Sequence, residues 1–249
     1  MKSKLINPNT TQSMTDGVQN IAEMAAAPGT EVYAVSPKNG PASLAGYADQ
    51  AIAAPGVLEE VIKGDYEEGA DAFIIACFGD PGLQAAKMVT DKPVIGMAQA
   101  AMLTMRFLAP NFTIIGNLFG GTESRCEALR RYGCENIYQS GRFIGMSVLD
   151  VEKDPAAGLE ALRREIKLAI EEDKAEGIIL GCAGFVPFVD TLRKEFSTVP
   201  ILDGITPAVK IAESLVSMGC RTSKIRTYGY PANQDVPGYE FMKAAQKKT

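Results

Sequence analysis

The stretch Phe73-Ile74-Ile75-Ala76-Cys77-Phe78-Gly79-Asp80-Pro81-Gly82 passes from an apolar run through a cysteine into a turn of Gly, Asp and Pro. A short apolar run bounded by turn residues reads as a buried strand. Cys77 then stands at the strand's carboxyl end, where open parallel sheets bind their ligands. The pattern returns in Ile178-Ile179-Leu180-Gly181-Cys182-Ala183-Gly184, again an apolar run ending in Cys-x-Gly. Glu68-Gly69 precedes the first run and Glu176-Gly177 the second, and Lys92-Pro93-Val94-Ile95-Gly96 is matched by Val199-Pro200-Ile201-Leu202-Asp203-Gly204. The offset is 105 residues between the cysteines and 107 between Pro93 and Pro200. This is an internal duplication of a strand–helix–strand unit with one thiol per half. If the halves face each other across a cleft, both thiols address one space from opposite sides.

Outward from these runs the chain alternates strands and helices. Lys4-Leu5-Ile6 is a first strand, ending in Asn7-Pro8-Asn9-Thr10-Thr11, a turn of small side chains that hydrogen-bond backbone. Thr10 or Thr11 is placed to cap a helix carrying Met14, Val18, Ile21 and Met24 on its apolar face. Glu31 to Val35 is a second strand, followed by the loop Gly40-Pro41-Ala42-Ser43. Residues 44–64 read as helix interrupted near Pro55-Gly56, Leu83 to Met88 as helix, Pro93 to Ile95 as a strand, and Gly96 to Phe107 as a helix crossing into the second half. Phe112 to Gly116 opens that half as a strand, and Ser124 to Tyr132 follows as helix. Between them Gly116-x4-Gly121 has the spacing of a phosphate loop, but Thr122 stands where the lysine belongs, so a nucleotide site is not expected. Within 136–150 a strand is expected at Phe143 to Val148. Ala156 to Lys174 reads as an amphipathic helix with Leu159, Leu162, Ile166 and Ile170 inward. After Cys182 come a helix to Phe196, a strand at Pro200 to Leu202, and a helix Pro207 to Met218 entered at Asp203-Gly204. The tail from Arg221, rich in Gly, Pro, Lys and Tyr, is expected to wrap the surface or a partner subunit.

Composition narrows the chemistry. A chain of 249 residues, 46% hydrophobic and 22% charged, has the balance of a soluble α/β protein, as one large unit or two smaller ones. Its net charge of −5 argues against a general nucleic-acid or anionic-membrane surface. No apolar run reaches the ~18 residues of a membrane span. Met1-Lys2-Ser3-Lys4-Leu5-Ile6 lacks the pattern of a signal peptide. Cysteines at 77, 126, 134, 182 and 220 include no C-x-x-C pair, so no disulfide framework and no zinc site is expected. A cytoplasmic location fits such thiols. There is no histidine, which removes Ser-His-Asp and Cys-His hydrolases and His-ligated metals. Acid–base work falls to Cys, Asp, Glu, Lys or Tyr.

A lone cysteine at a strand end is by default a small packing residue, and that reading holds for Cys126, Cys134 and Cys220. Cys77 and Cys182 differ because they occupy the same place in duplicated units. Each precedes a Gly-containing turn and a helix start, where backbone N–H groups are expected to lower a thiol pKa. Two facing thiols suit inversion of a carbon stereocentre without metal or cofactor: a thiolate removes a proton from one side and a thiol delivers one to the other. The enolate formed in between needs hydrogen-bond donors, which the backbone after each cysteine and the loops of Asn9 and Ser43 can supply.

Ile6-Asn7-Pro8-Asn9-Thr10-Thr11, Ala76-Cys77-Phe78-Gly79-Asp80-Pro81-Gly82, Gly181-Cys182-Ala183-Gly184 and Asp203-Gly204 together resemble the hydantoin and allantoin racemases of the aspartate/glutamate racemase superfamily. The similarity runs to about Lys224. It implies two pseudo-symmetric, Rossmann-like α/β domains with parallel sheets and the active site in the cleft between them. The first domain would be 1–97 completed by 206–249, and the second 98–205. It also implies Cys77 and Cys182 as the acid/base residues, no cofactor, and Asn9, Ser43, Phe78, Gly79, Ala183 and Gly184 lining the ring site. Where the family pattern has Thr-Thr after the fifth strand and then Arg-Thr, this chain has Gly116-Asn117 and Gly120-Gly121. Asn117 is there to hydrogen-bond a ring amide.

The expectation is a cofactor-independent racemase of 5-substituted hydantoins, working as a homo-oligomer on a small-molecule substrate, with no nucleic-acid or membrane partner. Phe78 and Ala183 favour a flat, weakly charged substrate. The alternatives are an amino-acid racemase, a one-cysteine decarboxylase or isomerase of the same fold, and a non-catalytic small-molecule-binding protein.

Overall fold

Strand β1 (Lys2–Ile6) is the axis of the first sheet. It pairs in parallel with β2 (Glu31–Val35) on one side and β3 (Ala72–Ile75) on the other, and β4 (Val94–Gly96) completes the order β2-β1-β3-β4. The second sheet repeats this around β5 (Phe112–Gly116), flanked by β6 (Tyr138–Phe143) and β7 (Ile178–Leu180), with β8 (Ile201–Leu202) outermost: β6-β5-β7-β8, parallel throughout. The structure, a computed structural model, describes residues 1–118 and 122–246. The chain divides into two units, Met1–Met97 with the segment from Ala208 onward, and Ala98–Pro207.

The central strands are continuous apolar runs because helices cover both faces of a parallel sheet. Leu5, Ile6, Phe73, Ile74 and Ile75 are fully buried in the first unit, as are Phe112, Ile114, Ile115, Ile178, Ile179 and Leu180 in the second. Each such side chain contributes roughly 1.5–3 kcal/mol by leaving water. In the first unit the helices are α1 (Gln12–Ala25), α2 (Tyr47–Lys63) and α3 (Leu83–Val89). Helix α4 (Met97–Met105) leads into the second unit, followed by α5 (Thr122–Tyr132), α6 (Val148–Lys153), α7 (Pro155–Glu171) and α8 (Val189–Glu195). Helix α9 (Ile205–Ser217) returns the chain to the first unit, and α10 (Met242–Gln246) lies near its end.

The duplication extends to individual backbone bonds. Ala76 N–H donates to Ile6 O at 2.9 Å, and Gly181 N–H to Ile115 O at 2.8 Å. Phe73 N–H donates to Pro93 O, and Ile178 N–H to Pro200 O, both at 2.9 Å.

Several elements depart from the sequence expectation. Helix α1 buries Thr15, Val18, Ile21, Ala22 and Ala25, whereas Met24 is 81% exposed. At about 100° per residue, Met24 lies some 200° round from Ala22, outside the inner stripe. Thr11 holds the N-cap position without a side-chain cap bond; its hydroxyl donates instead to Ala42 O at 2.7 Å. Helix α2 is not interrupted at Pro55-Gly56 but runs through it. Gly56 serves close packing, since a Cβ there would stand 2.6 Å from Pro37 Cβ. The strand expected at Phe143 to Val148 is β6, five residues earlier, and a capping box of Ser147 and Asp150 starts α6. After Cys182 the chain makes a 3-10 segment, Ala183–Phe188, before α8. The phosphate-loop-like residues Gly120 and Gly121 lie outside the described residues.

The tail packs on its own unit. Thr222 N–H donates to Asp91 O at 2.8 Å, and Lys224 Nζ donates to Lys87 O, Met88 O and Thr90 O at 2.8, 3.0 and 2.9 Å. Lys224 thereby supplies donors to the last carbonyls of α3, the orphan acceptors of any helix end. Among the described residues, no helix is long and apolar enough to cross a membrane.

Candidate active site

Cys77 lies two residues beyond the last residue of β3, and Cys182 two beyond the last of β7. Both thiols therefore stand at the carboxyl edge of a parallel sheet, on the strand next to its axis. Each cysteine carbonyl accepts from the amide three residues on: Asp80 N–H at 3.0 Å in the first unit, Phe185 N–H at 3.1 Å in the second. These bonds close the two turns in the same way.

The first turn is tight. Asp80 adopts φ +45° and Gly82 φ +71°, the left-handed region where Asp and Gly are the residues best tolerated. Gln50 of α2 lies across Gly79, where an added Cβ would stand 2.9 Å from Gln50 Nε2. The Gly79 N–H hydrogen-bonds Cys77 and draws its pKa down, but burial and then the Asp80 charge push the thiol up to about 11. This corrects the expected lowering: desolvation of a thiolate outweighs one backbone donor.

Asn9 is buried after β1, its Oδ1 accepting from Asn7 Nδ2 at 3.0 Å and from Thr11 N–H at 2.9 Å, while its Nδ2 donates to Met14 Sδ at 3.3 Å. Its amide braces its own loop. Ser43 is exposed, on a loop tied to that of Asn9 by Thr10 N–H donating to Pro41 O at 3.0 Å.

In the second unit Cys182 is extended, with φ −149° and ψ 136°. Ile115 pairs with Leu180, so Asn117 is level with Cys182 two residues on. The Asn117 carbonyl accepts from Gly145 N–H at 3.0 Å, but its buried Nδ2 has no hydrogen-bond partner among the described residues. Ala183 opens the 3-10 segment. Gly184 leaves the sulfur room: a Cβ there would stand 3.6 Å from Cys182 Sγ and 3.3 Å from Val148 Cγ1. At the end of β8, Asp203 is 1% exposed; its Oδ1 accepts from Thr206 N–H at 2.6 Å, and Arg193 Nη2 stands 4.0 Å from Oδ2.

The nine expected site residues thus form two sets, Asn9, Ser43, Cys77, Phe78 and Gly79 in the first unit, and Asn117, Cys182, Ala183 and Gly184 in the second. Sequence reasoning gave no role to Asp80 or Gln50, although Asp80 stood in the quoted stretch; a buried carboxylate three residues after a thiol was the signal. Cys126, Cys134 and Cys220 lie apart from the two turns in sequence, and no cysteine is in a disulfide. Among the described residues, no group of three His, Cys, Asp or Glu side chains is arranged to hold a metal ion.

Over residues 4–212 the sequence matches the family model described as Asp/Glu/Hydantoin racemase. The chain belongs to this racemase family. It is 48% identical over 238 residues to a hydantoin racemase from Pseudomonas sp. (strain NS671), covering 96% of this chain and 95% of that protein. Among solved structures, this racemase is similar to an allantoin racemase from Klebsiella pneumoniae, with a TM-score of 0.93, 38% identity and 98% of each chain covered. It is also similar to an allantoin racemase from Pseudomonas fluorescens, with a TM-score of 0.91, 37% identity, and 96% of this chain and all of that one covered. The two parallel-sheet units are the architecture of those enzymes.

Proposed function

We propose that this racemase inverts C5 of 5-substituted hydantoins, allantoin among them, with one thiol from each unit. The ring C5–H is flanked by a carbonyl, so its removal as a proton gives an enolate delocalised onto oxygen. One cysteine as thiolate takes that proton, and the other, as thiol, donates its own to the opposite face of C5. The product is the mirror-image ring, and the two cysteines have exchanged protonation states. Asn117 Nδ2 and the backbone N–H groups of the two turns are the donors for the ring oxygens, and the loops of Asn9 and Ser43 border the ring.

The observation that carries this reading is the equivalence of the turns: same offset beyond the strand, same closing bond, one thiol each. The relatives named hydantoin and allantoin racemases support the substrate class. The test is polarimetry on single enantiomers of 5-benzylhydantoin, 5-isopropylhydantoin and allantoin, with L-aspartate and L-glutamate as controls. Decay of optical rotation above the spontaneous rate for the hydantoins alone is expected. Turnover of an amino acid with silence on every hydantoin would overturn the proposal.

A further inference from the structure

Gly79 and Gly184 occupy the same place, two residues beyond their thiols. Each is covered by a side chain from the helical segment between the second and third strands of its unit. The first turn lies under the amide of Gln50 on α2, whose Nε2 would stand 2.9 Å from a Cβ on Gly79. The second lies under a methyl of Val148, the first residue of α6. A Cβ on Gly184 would stand 3.3 Å from Val148 Cγ1 and 3.6 Å from Cys182 Sγ, so methyl and sulfur border the one space that the missing side chain leaves. Equivalent glycines thus have unlike covers, polar in one unit and apolar in the other. Helix α6 holds Val148 in place. Ser147 and Asp150 close a capping box at its start. Val151, one turn on and 3% exposed, packs on α7, where a Cβ on Gly158 would stand 2.9 Å from Val151 Cγ1. Residues three apart share a helix face, so that face sends Val151 into the core and Val148 onto the thiol turn. Among the described residues, Val151 belongs to the second unit's core cluster and Cys182 packs against it, whereas Val148 does neither. Cys182, Ala183, Gly184 and Val148 are all half-buried, so a ligand at the sulfur can reach the methyl.

We propose that Val148 is a specificity-determining residue: its methyl is the wall against which the C5 substituent packs, and it selects hydantoins with compact alkyl substituents over the ureido group of allantoin. This rests on the hydantoin reading above. A carbon that exchanges its proton with Cys182 comes to about 3–3.5 Å from the sulfur, which brings the groups bonded to it against Val148. Three heavy atoms are bonded to C5: a ring nitrogen, a ring carbonyl carbon and the substituent. The ring nitrogen and the carbonyl need hydrogen-bond partners, which a methyl does not offer. An alkyl substituent needs none. The ureido group is joined to C5 through an N–H that this wall leaves without an acceptor, a cost that alkyl substrates do not bear. Allantoin remains a substrate, but the poorer one.

The isobutyl and ureido groups match in heavy atoms and branching, so 5-isobutylhydantoin and allantoin form a shape-matched pair. The test is kcat/KM by polarimetry on single enantiomers of these two and of 5-benzylhydantoin, for wild type, Val148→Thr and Val148→Ala. The wild type should favour 5-isobutylhydantoin over allantoin. Val148→Thr, of nearly unchanged volume, should lower that preference about tenfold, and Val148→Ala should raise benzyl over isobutyl by about the same factor. A variant that merely loosened α6 would lower all three substrates together and leave their ratios in place. Ratios unmoved in both variants overturn the proposal, as does a wild type that prefers allantoin. A second measurement does not depend on turnover: the whole enzyme is alkylated with iodoacetamide or with the bulkier N-cyclohexylmaleimide, and each cysteine is quantified by peptide mass spectrometry. Val148→Ala should speed the bulkier reagent relative to iodoacetamide at Cys182 and leave that ratio unchanged at Cys77. An unmoved ratio at Cys182 overturns the wall. A moved ratio in an enzyme silent on every hydantoin overturns the substrate reading and leaves Val148 as the wall beside the thiol.

Discussion

The two halves share a strand order, a register and a turn bond, and they differ in how each surrounds its thiol. In the first unit Cys77 is followed by a strained turn, a buried carboxylate and the crossing side chain of Gln50. In the second, Cys182 leads into a 3-10 segment of apolar residues, with Gly184 beside the sulfur and a buried amide on Asn117 that finds no partner among the described residues. The duplicated backbone has kept the cysteine at one offset beyond its strand, while the side chains around it have diverged. A two-base inversion would need one thiol to start charged and the other neutral.

The sharpest break in the comparison is removal of one thiol. Cys77→Ser and Cys182→Ser should each lower racemisation by on the order of a thousandfold or more, as for loss of a general acid or base. Full activity in either variant, followed by optical rotation, would reduce the site to a single cysteine.

The units also differ in the ion pairs that clamp their sheets. In the first, fully buried Lys4 pairs with Glu60 at 2.7 Å and Glu68 at 2.8 Å, and Tyr33 O–H donates to Glu68 at 2.9 Å. In the second, Arg142 grips Asp173 through Nε and Nη2 at 2.6 and 2.7 Å, and Ser140 adds a donor at 2.5 Å. Lys4→Met takes the cation from Glu60 and leaves Glu68 with half-exposed Lys63 at 3.3 Å, in a mostly buried site, and should cost about 3–5 kcal/mol in urea unfolding. A loss below about 1 kcal/mol would make Lys4 a packing residue.

Asp173→Asn should cost less, about 1–2 kcal/mol at neutral pH, because its pair is nearer the surface. The Arg142 bonds hold the Asp173 carboxyl below its ordinary value. Its contribution is therefore complete above the ordinary carboxylate range and is lost as pH falls through the lowered value. Unfolding curves of wild type and variant should converge once the pH is below the lowered Asp173 value; a gap independent of pH would deny the ion pair its role.

Much of this was legible in the chain. The two cysteine runs, their glycine-edged approaches and the paired prolines gave both sheets and the position of each thiol, because fully buried parallel strands are written as unbroken apolar segments. β6 was misplaced because Tyr138-Gln139-Ser140-Gly141-Arg142-Phe143 is a polar edge strand, fixed by β5 and by the Arg142–Asp173 pair rather than by its own pattern. Met24 was misassigned because one methionine at near-helical spacing carries no information on which side of the stripe it falls. The direction of the Cys77 pKa was hidden for a different reason. A turn glycine and a helix start announce donors, whereas burial and the fold of Asp80 back onto Gly96 exist only in three dimensions.

The most direct measurement of the two-thiol account is racemisation of one hydantoin enantiomer in deuterium oxide, stopped at low conversion, with C5 deuterium quantified separately in the two enantiomers. Two thiols acting on opposite faces predict deuterium in the inverted product and almost none in the recovered substrate. Equal labelling of both enantiomers, or return of the original proton to the product, would mean that a single group serves both faces and would contradict the account.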